Sequence, residues 1–532
     1  MAIIDKTADE IAQLVKSGEI SATKIVDAAY ARIEAVDGQS GELDHGEISE
    51  LDKKSVHAFI NLTKDLAYTQ AEAVNQKITQ GEDPGMLAGV PVTIKDIFCI
   101  QNILTTAGSR MLANFKSPYT ATPVKRLMDA GALILGKVNL DEFTYGSSSE
   151  SSAFQPSPRN PWNTEHVPGG SSGGSTASVA AREAALSLGT DTGGSIRQPA
   201  AFSGVIGMKP TYGRVSRYGL IAFGSSLDCP GPIARTVKDA ALMLQVMAGH
   251  DPQDSTSSMR PVPDYLAMLE ERVRGLRIGL SPDYFRVSYP DLSTGEVLYK
   301  PIQAEIKSAV MHVAEVLANL GAEIIEDVPM PNTVHGIPVY FVISRVEAAS
   351  NLHRFDGVKY GYFTQKHVNN LNELYRLNRA EGFGPEPKLR ILMGMYVSAA
   401  KHSAQYYQRA LRVRSMIRHD FDTAFDPKGS YRLDALLTSP TPTTAFKMNE
   451  LYGDSVLMQI ADQFTVTANH AGIPGITIPA GFDQAGLPIG IQFLGPDFRE
   501  DLILRVAHAY EQATLNEAWR KIKPQVLINV ED

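Results

Sequence analysis

Short apolar runs bounded by glycine constrain the fold of this chain more than any other feature. Residues 90–94 and 132–135 are two such runs, and residues 122–129 between them have helical spacing. Buried strands give short continuous apolar runs, and strands that alternate with helices are typical of an α/β architecture. We therefore expect a sheet flanked by helices.

Helix-start signals appear at the beginning of the chain. Thr7 and Glu10 have the spacing of a capping box for a helix that stops at Gly18, and a second helix is predicted to begin at Ser21. The opening residues 1–6 lack the charged and apolar regions of a secretory signal, and no uncharged run approaches the ~18 residues of a membrane span. A cytoplasmic protein is expected.

The second half of the chain repeats the alternation and then interrupts it. Residues 276–325 read as strand, helix and strand, whereas residues 332–426 are rich in Tyr, Arg and helix formers without a strand pattern. We expect a helical insertion there, with the sheet resumed at about 435–500. Because no linker of disordered composition separates the halves, we predict a single domain over residues 1–532.

Composition excludes several classes of function. A hydrophobic content of 43% with 20% charged residues indicates a packed core, and 50 basic against 59 acidic residues give a net charge of −9. No global basic field therefore attracts nucleic acid or anionic lipid. Cys99 and Cys229 lie far apart without metal-like spacing to histidine, so neither a disulfide framework nor a zinc site is indicated.

A serine-glycine segment follows the first strands. Residues 146–178 hold ten serines and five glycines, a density that is typical of flexible linkers. However, the glycine-rich run 168–175 leads directly into an alanine-rich stretch, and a glycine-rich turn that opens a helix lets backbone approach a ligand closely. A second glycine-serine motif begins at Asp191.

Three local motifs are typical of other kinds of site, but each lacks the neighbouring residues or structure that such a site requires. Residues 131–137 match the start of a phosphate loop, but their interior reads as a strand and Val138 replaces the magnesium-binding hydroxyl. Residues 170–174 have nucleophile-elbow spacing without a preceding strand. Ser21 and Lys24 have Ser-x-x-Lys spacing on an ordinary amphipathic helix.

Several separated motifs, taken together, resemble the amidase signature family. The family-wide motifs are residues 89–96, 169–175 and 191–199, within a densely similar region at 87–257. Further strings resemble one branch, the glutamine-hydrolysing subunits of tRNA-dependent amidotransferases, and lie at 139–143, 209–220 and 249–257. The resemblance implies the amidase signature fold, an α/β fold with a large mixed central sheet flanked by helices.

The resemblance also implies a Ser-Ser-Lys catalytic triad. It places the nucleophile at Ser195, a bridging serine at Ser171 and the base at Lys95, with a cis peptide before the bridging serine. A serine needs a neighbour that removes its proton, and a lysine can do so only when burial lowers its pKa. The apolar residues around Lys95 favour such burial, although a lone lysine after a strand is more often at the surface.

Backbone N–H groups of Thr192, Gly193 and Gly194 are expected to form an oxyanion hole, because the two glycines leave the amides unobstructed at a turn. Ser172 is interpreted as a supporting neighbour of Ser171. No histidine is required by this scheme, and no metal site is predicted.

For the branch, the resemblance implies glutamine as substrate. Arg390 matches a carboxylate-binding arginine, Asp462 matches an ammonium-binding aspartate, and Tyr340 or Phe341 is expected to cover the substrate. Without the resemblance, Arg390 would be read as a solvated helix residue. The resemblance therefore implies a glutaminase that acts through a γ-glutamyl ester.

The branch implies a carbon-nitrogen ligase complex that converts Glu-tRNA(Gln), or Asp-tRNA(Asn), to the amidated product. Its expected partners are the B and C subunits, with tRNA held mainly by a partner, and ATP and Mg²⁺ are used by the complex with no cofactor tightly bound to this chain. The alternative is a stand-alone amidase for a small carboxamide, which would leave Arg390 and Asp462 unpaired. Apparent insertions at 37–52 and 285–299 are predicted to be polar surface loops.

Overall fold

The computed structural model of the chain describes residues 3–46, 48–50, 52–291, 294, 296–528 and 530. The α-helices of these residues are α1 (Ala8–Lys16), α2 (Ala22–Val36), α3 (Lys64–Thr79), α4 (Thr122–Asp129), α5 (Gly173–Ala180), α6 (Arg197–Ser203), α7 (Val237–Met247), α8 (Tyr265–Met268), α9 (Ala304–Asn319), α10 (Gly336–Asn351), α11 (Leu371–Gly382), α12 (Pro385–Ser398), α13 (Tyr407–Phe425), α14 (Ser455–Ile460), α15 (Val466–Ala471) and α16 (Glu500–Ala513). The strands are β1 (Glu42–Leu43), β2 (Phe59–Leu62), β3 (Pro91–Lys95), β4 (Leu133–Val138), β5 (Phe154–Gln155), β6 (Leu186–Asp191), β7 (Ile206–Lys209), β8 (Cys229–Ala234), β9 (Arg277–Leu280), β10 (Arg286–Pro290), β11 (Val297–Pro301), β12 (Glu323–Ile325), β13 (Ala435–Thr438), β14 (Gly475–Phe482) and β15 (Pro488–Leu494).

Eleven strands of the described chain form one mixed sheet, in the order β12-β9-β13-β15-β14-β7-β8-β6-β3-β4-β2. β3 runs parallel to β4 and β6, and β9 runs parallel to β12 and β13. The other neighbours in the sheet are antiparallel. Every residue of β3, β4, β6 and β8 is buried, as in a sheet covered on both faces. The expected α/β fold with a large mixed sheet is confirmed.

The predicted helix starts are confirmed at the beginning of the chain. The Thr7 side chain accepts a hydrogen bond from the Glu10 N–H at 3.2 Å, and the Glu10 carboxylate accepts one from the Thr7 N–H at 2.8 Å. This reciprocal pair is the capping box of α1. Ser21 caps α2 with a single hydrogen bond, which its side chain accepts from the Lys24 N–H.

The pairing of β3 with β6 decides where a site can form. Because these two strands are parallel and adjacent, their carboxyl ends meet at one edge of the sheet. β3 ends at Lys95 and β6 ends at Asp191, so the lysine and the turn after Asp191 lie side by side. Ligands of open α/β sheets bind at this edge.

A helical segment separates the two parts of the sheet, as expected. Residues 332–426 are all described and contain α10, α11, α12 and α13 but no strand, and β13 then rejoins the sheet between β9 and β15. α10 and α12 touch closely, since a Cβ added at Gly394 would lie 2.0 Å from the Arg345 carbonyl oxygen. Glycine allows this approach.

The prediction of a loop at 285–299 is wrong, because two strands form there. β10 and β11 pair as an antiparallel hairpin, in which Tyr289 faces Leu298 and Val287 faces Lys300. Val287, Tyr289, Val297 and Tyr299 supply β-branched and aromatic side chains, which favour strands over loops. Residues 292, 293 and 295 of the predicted loop lie outside the described residues.

The segment 37–52 is also more ordered than a polar loop. β1 within it pairs with β5, and Asp37 at its start is buried and accepts a hydrogen bond from the Ala58 N–H at 2.5 Å. The backbone donor satisfies one oxygen of this buried carboxyl group. Residues 47 and 51 lie outside the described residues.

Two further features concern the chain as a whole. Cys99 and Cys229 are both buried and free, consistent with space-filling roles. In the described ranges, no helix combines the length and the apolar character that crossing a membrane requires.

Candidate active site

Lys95, at the carboxyl end of β3, is fully buried. Its Nζ donates to three hydroxyl groups: Ser171 Oγ at 2.8 Å, Ser172 Oγ at 2.9 Å and Thr190 Oγ1 at 3.0 Å. An ammonium group has three donors, so these hydroxyls satisfy it completely. The structure thus brings Lys95 to Ser171, and it adds direct contacts with Ser172 and Thr190 that no sequence motif predicted.

Burial also changes the acidity of Lys95. It lowers the pKa of Lys95 from 10.5 to about 7, against the opposing attraction of Asp141, Asp191 and Asp228. A lysine with this pKa has a large neutral fraction at neutral pH, and a neutral amine can accept a proton.

The two serines beside Lys95 differ in how their hydroxyl groups are used. The Gly170–Ser171 peptide bond is cis, as the resemblance implied. The Ser172 hydroxyl donates to the Thr190 carbonyl oxygen at 3.1 Å, so its proton is already committed. The Ser171 hydroxyl has no second partner in the described chain besides Lys95. Ser171 is therefore the serine whose proton is available for transfer.

A carboxylate holds the turn after β6. Asp191 accepts hydrogen bonds from the backbone N–H groups of Ile196 and Arg197, both at 3.3 Å. It also accepts from the Arg197 guanidinium at 3.0 and 3.1 Å. Although burial opposes ionisation, the charge of Arg197 lowers the pKa of Asp191. This buried ion pair fixes residues 192–196 against the sheet.

The turn presents backbone donors without acceptors. Within the described chain, the N–H groups of Thr192, Gly193 and Gly194 make no hydrogen bond. Gly194 has a φ of +148°, and a Cβ there would lie 2.2 Å from Thr465 Oγ1. A Cβ at Gly193 would lie 2.8 Å from the Tyr340 ring. Only glycine fits these two positions, and free N–H groups at such a turn can hold an oxyanion.

Ser195 follows these glycines and is 6% exposed. Its side chain makes no hydrogen bond to Ser171 in this conformation. The expected chain of contacts from Ser195 through Ser171 to Lys95 is therefore present at its Lys95 end and open at its Ser195 end.

Ser195 lines a cavity that is partly open to solvent. The three residues expected to bind a substrate line the same cavity, and we call them the recognition wall: Tyr340, Arg390 and Asp462. Phe341 instead packs its ring 3.3 Å from the Arg345 guanidinium. The structure thus selects Tyr340 over Phe341 as the residue beside Ser195.

Asp462 contributes an unpaired acceptor to the cavity. Its Oδ2 accepts from the Ser147 hydroxyl at 2.5 Å, whereas its Oδ1 is buried without a partner in the described chain. Burial raises the pKa of Asp462 to about 8. A buried carboxylate oxygen without a donor is costly, and a cationic ligand would relieve that cost.

Arg390 contributes the opposite charge. It is buried on α12, its Nη1 pairs with the Glu386 carboxylate one turn earlier, and its guanidinium lies 5.0 Å from the centre of the Tyr145 ring. Its buried Nε has no partner among the described residues. The cavity therefore offers one guanidinium and one carboxyl group, both with unused hydrogen-bonding atoms.

Sequence reasoning missed several residues of the site. Asp141, Tyr145, Ser147 and Glu386 line the cavity without having been assigned a role. Asp141 is buried and accepts from the Ser149 N–H and the Ser151 hydroxyl, both at 2.9 Å. The spacing of four residues between Glu386 and Arg390 on a helix was a usable signal for an ion pair.

A metal site is not part of this arrangement. In the ranges that the structure describes, no group of three or more His, Cys, Asp or Glu side chains is placed to hold a metal ion.

Comparisons with known proteins identify the family and the relatives of this chain. The sequence model of the family described as Amidase matches residues 47–504. A curated relative, the A subunit of glutamyl-tRNA(Gln) amidotransferase of Carboxydothermus hydrogenoformans, is 48% identical over 520 residues, which are 98% of this chain and 99% of that protein.

Two solved structures share the fold. The crystal structure of the glutamyl-tRNA(Gln) amidotransferase A subunit from Thermotoga maritima has a TM-score of 0.73 and 34% identity, and the match covers 96% of this chain and 95% of that one. A native peptide amidase from Stenotrophomonas maltophilia has a TM-score of 0.75 and 28% identity, with 98% of each chain covered. Because the two TM-scores are nearly equal, the fold alone does not distinguish the two activities.

Proposed function

This chain belongs to the amidase family, and from that premise we propose that it is the glutamine-hydrolysing A subunit of a tRNA-dependent amidotransferase. The observation that carries the proposal is the pairing of Ser195 with a buried arginine and a buried aspartate in one cavity. A free amino acid carries one carboxylate and one ammonium, which match Arg390 and Asp462. The 48% identity to the A subunit of a curated relative, over 98% of the chain, supports the same function.

The first chemical step is formation of an ester on Ser195. The Ser195 oxygen attacks the side-chain amide carbon of glutamine, its proton passes to Ser171, and the Ser171 proton passes to neutral Lys95. A rotation of the Ser195 side chain toward Ser171 completes this relay. Negative charge develops on the former amide oxygen, where the N–H groups of Thr192, Gly193 and Gly194 stabilise it.

The second step releases ammonia and regenerates the serine. The proton held by Lys95 returns through Ser171 to the amide nitrogen, the carbon-nitrogen bond breaks, and ammonia leaves. Water then attacks the γ-glutamyl ester and gives its proton to Lys95 by the same route. The Ser195 oxygen recovers a proton as glutamate departs.

The recognition wall orients the substrate for this attack. Arg390 binds the carboxylate and Asp462 binds the ammonium group of glutamine. The Tyr340 ring packs against Gly193 in the turn at residues 192–194, which we call the oxyanion turn. A neutral amide bound in the same cavity would leave Asp462 Oδ1 and Arg390 Nε without the charged partners that a free amino acid supplies.

The remaining chemistry of the complex belongs to other chains. The B and C subunits are the partners, and one of them holds the aminoacyl-tRNA and uses ATP and Mg²⁺. The net charge of −9 is consistent with this division, because phosphate contacts from basic residues supply much of the affinity for nucleic acid.

The test is a stepwise glutaminase assay. The purified chain is given L-glutamine alone, and the partner subunits, ATP and charged tRNA are then added in turn. We expect ammonia release to rise when the partners and the charged tRNA are present. Full activity of the lone chain, together with no second subunit recovered in native pull-downs, would instead identify a stand-alone amidase.

A further inference from the structure

Gln198, the second residue of α6, is a fully buried amide that bridges two segments of backbone. Its Oε1 accepts a hydrogen bond from the Gly170 N–H at 3.0 Å, and its Nε2 donates one to the Ser147 carbonyl oxygen at 2.9 Å. We call these contacts the Gly170 link and the Ser147 link. A side-chain amide both accepts and donates, so it satisfies the two backbone groups together.

The Gly170 link lies next to the catalytic lysine. Gly170 is bonded to Ser171, whose hydroxyl lies 2.8 Å from Lys95 Nζ. The residue before it is also close to the amide, since a Cβ added at Gly169 would lie 2.5 Å from Gln198 Oε1. Glycine at this position leaves room for the Gln198 side chain. The backbone that carries Ser171 is therefore held by Gln198.

The Ser147 link leads to the recognition wall. The Ser147 hydroxyl donates to Asp462 Oδ2 at 2.5 Å, and both residues line the cavity. Because Gln198 binds the carbonyl oxygen of the same serine, it fixes the backbone from which this hydroxyl projects. The orientation of the Asp462 carboxyl group therefore depends on Gln198 through one intervening residue.

Gln198 has no direct access to a ligand, since within the described chain it does not line the cavity. Its effect must pass through its two links. An apolar side chain in its place would leave the Gly170 N–H and the Ser147 carbonyl oxygen without this partner. Both segments could then shift, and a displacement of about 1 Å near the reacting atoms can cost roughly 100-fold in rate.

We propose that Gln198 is a positioning residue that holds Ser171 and Asp462 in one fixed geometry. It acts on Ser171 through the Gly170 link and on Asp462 through the Ser147 link. An ammonium group bound by Asp462 then lies at a set distance from the proton relay. The Ser147 link rests on the proposed function, because it requires a ligand with an ammonium group, whereas the Gly170 link applies to any amide that the chain hydrolyses.

The Ser147 link is tested by a double-mutant cycle in the full-length Ser195→Ala chain, which can bind L-glutamine but cannot form the ester. Calorimetry gives the Kd for L-glutamine with Gln198→Met, with Ser147→Ala, with both and with neither. We expect Gln198→Met to weaken binding roughly tenfold when the Ser147 hydroxyl is present and less than about twofold when it is absent. Equal weakening in both backgrounds would overturn the Ser147 link.

The Gly170 link is tested by kcat for L-glutamine and for a small neutral amide, with the full-length chain and its partner subunits. Gln198→Met should lower kcat roughly tenfold on both substrates. Gln198→Glu should keep most of kcat, because a carboxyl group of the same shape still accepts from the Gly170 N–H. An unchanged kcat in Gln198→Met, or equal losses in the two variants, would overturn the Gly170 link.

Asn160→Leu is the matched control. Asn160 is also a fully buried amide, and its Nδ2 donates to the carbonyl oxygens of Val167 at 3.2 Å and of Phe202 at 2.9 Å. It thus joins α6 to the segment before Gly169, and within the described chain it does not line the cavity. The control should leave Kd and kcat unchanged. Changes as large as those of Gln198→Met would overturn the proposal.

Thermal melting verifies that each variant folds, and Gln198→Leu replaces Gln198→Met if the methionine variant does not. The proposed function fails separately from this inference. It is overturned if the Ser195→Ala chain does not bind L-glutamine and the unchanged complex does not hydrolyse it. The kcat for the neutral amide then still decides the Gly170 link.

Discussion

The two sides of the cavity differ in whether their polar groups already have hydrogen-bond partners within the chain. On one side, Lys95 has three hydroxyl partners that the fold itself provides. On the other side, Asp462 and Arg390 each keep a buried polar atom without a partner in the part of the chain that the structure describes. The Lys95–Ser171 end of the proton relay is thus assembled without a ligand, although Ser195 has still to rotate toward Ser171. We expect the charges of a ligand to complete the recognition wall.

The difference follows from where each side lies in the chain. Lys95 and the oxyanion turn lie at the ends of the parallel strands β3 and β6, and Ser171 lies just before α5. Arg390 and Tyr340 come from helices of the insertion, α12 and α10. The central sheet therefore positions Lys95 and the turn after β6, whereas the inserted helices supply two of the three residues of the recognition wall. The third, Asp462, lies between α14 and α15.

The largest effect is expected from a substitution of Lys95. Lys95→Met should lower kcat/KM for glutamine by roughly 10²–10⁴-fold, because a general base is lost while a side chain of similar length remains. In the wild type, kcat/KM should rise as pH increases through about 7, where Lys95 loses its proton. A pH-rate profile of both forms checks this. A near-normal rate for Lys95→Met would exclude the role.

Ser171 and Ser172 form a matched pair that tests which hydroxyl relays the proton and which only supports Lys95. Ser171→Ala should cost roughly 10²-fold in kcat, whereas Ser172→Ala should cost much less, although both hydroxyls lie almost equally close to Lys95. The reason is that the Ser172 proton is committed to the Thr190 carbonyl. Steady-state kinetics with thermal melts of both variants decide the point. Equal losses would mean that the two serines cannot be told apart by their hydrogen bonds.

Removing charges from the recognition wall should affect binding more than chemistry. Arg390→Met and Asp462→Asn should each raise the KM for glutamine roughly 10- to 100-fold, since a hydrogen bond to a charged group is worth roughly 1.5–3 kcal/mol. A small neutral amide measured in parallel is the control, and its kcat/KM should change little. Equal losses on both substrates would favour a stand-alone amidase.

The smallest expected effect is a pH dependence of binding. Burial raises the pKa of Asp462 to about 8, so at lower pH its carboxylate is mostly protonated and binds an ammonium group poorly. The affinity of the Ser195→Ala chain for L-glutamine should therefore increase as pH rises through about 8. The Asp462→Asn variant should lose this dependence. Unchanged pH dependence in that variant would assign the titration to another group.

The sequence predicted the elements whose signals are local. The capping box at Thr7 and the apolar strand β3 depend on nearby residues alone, and both form as expected. β8 has no such signal, since it contains Pro230 and Pro232. The structure accommodates these prolines where β8 pairs with β6 only, because β7 joins it at the last two residues.

Only part of the candidate site could be predicted from the sequence, for a similar reason. Motifs of neighbouring residues pointed to Lys95, Ser171 and Ser195 through a family resemblance. The contact of Tyr340 with Gly193 could not be found in this way, because it depends on how α10 packs against the turn after β6. Burial and ion pairing across helices depend on packing that no local motif encodes.

The central claim is that Ser195 carries the γ-glutamyl group, and trapping that ester tests it most directly. The full-length chain, first by itself and then with its partners, is mixed with isotope-labelled L-glutamine and quenched in acid, and its peptides are mapped by mass spectrometry. We predict label on the peptide that contains Ser195 and none in the Ser195→Ala variant. Label on Ser171 or Ser172, or hydrolysis that continues in Ser195→Ala, would contradict the claim.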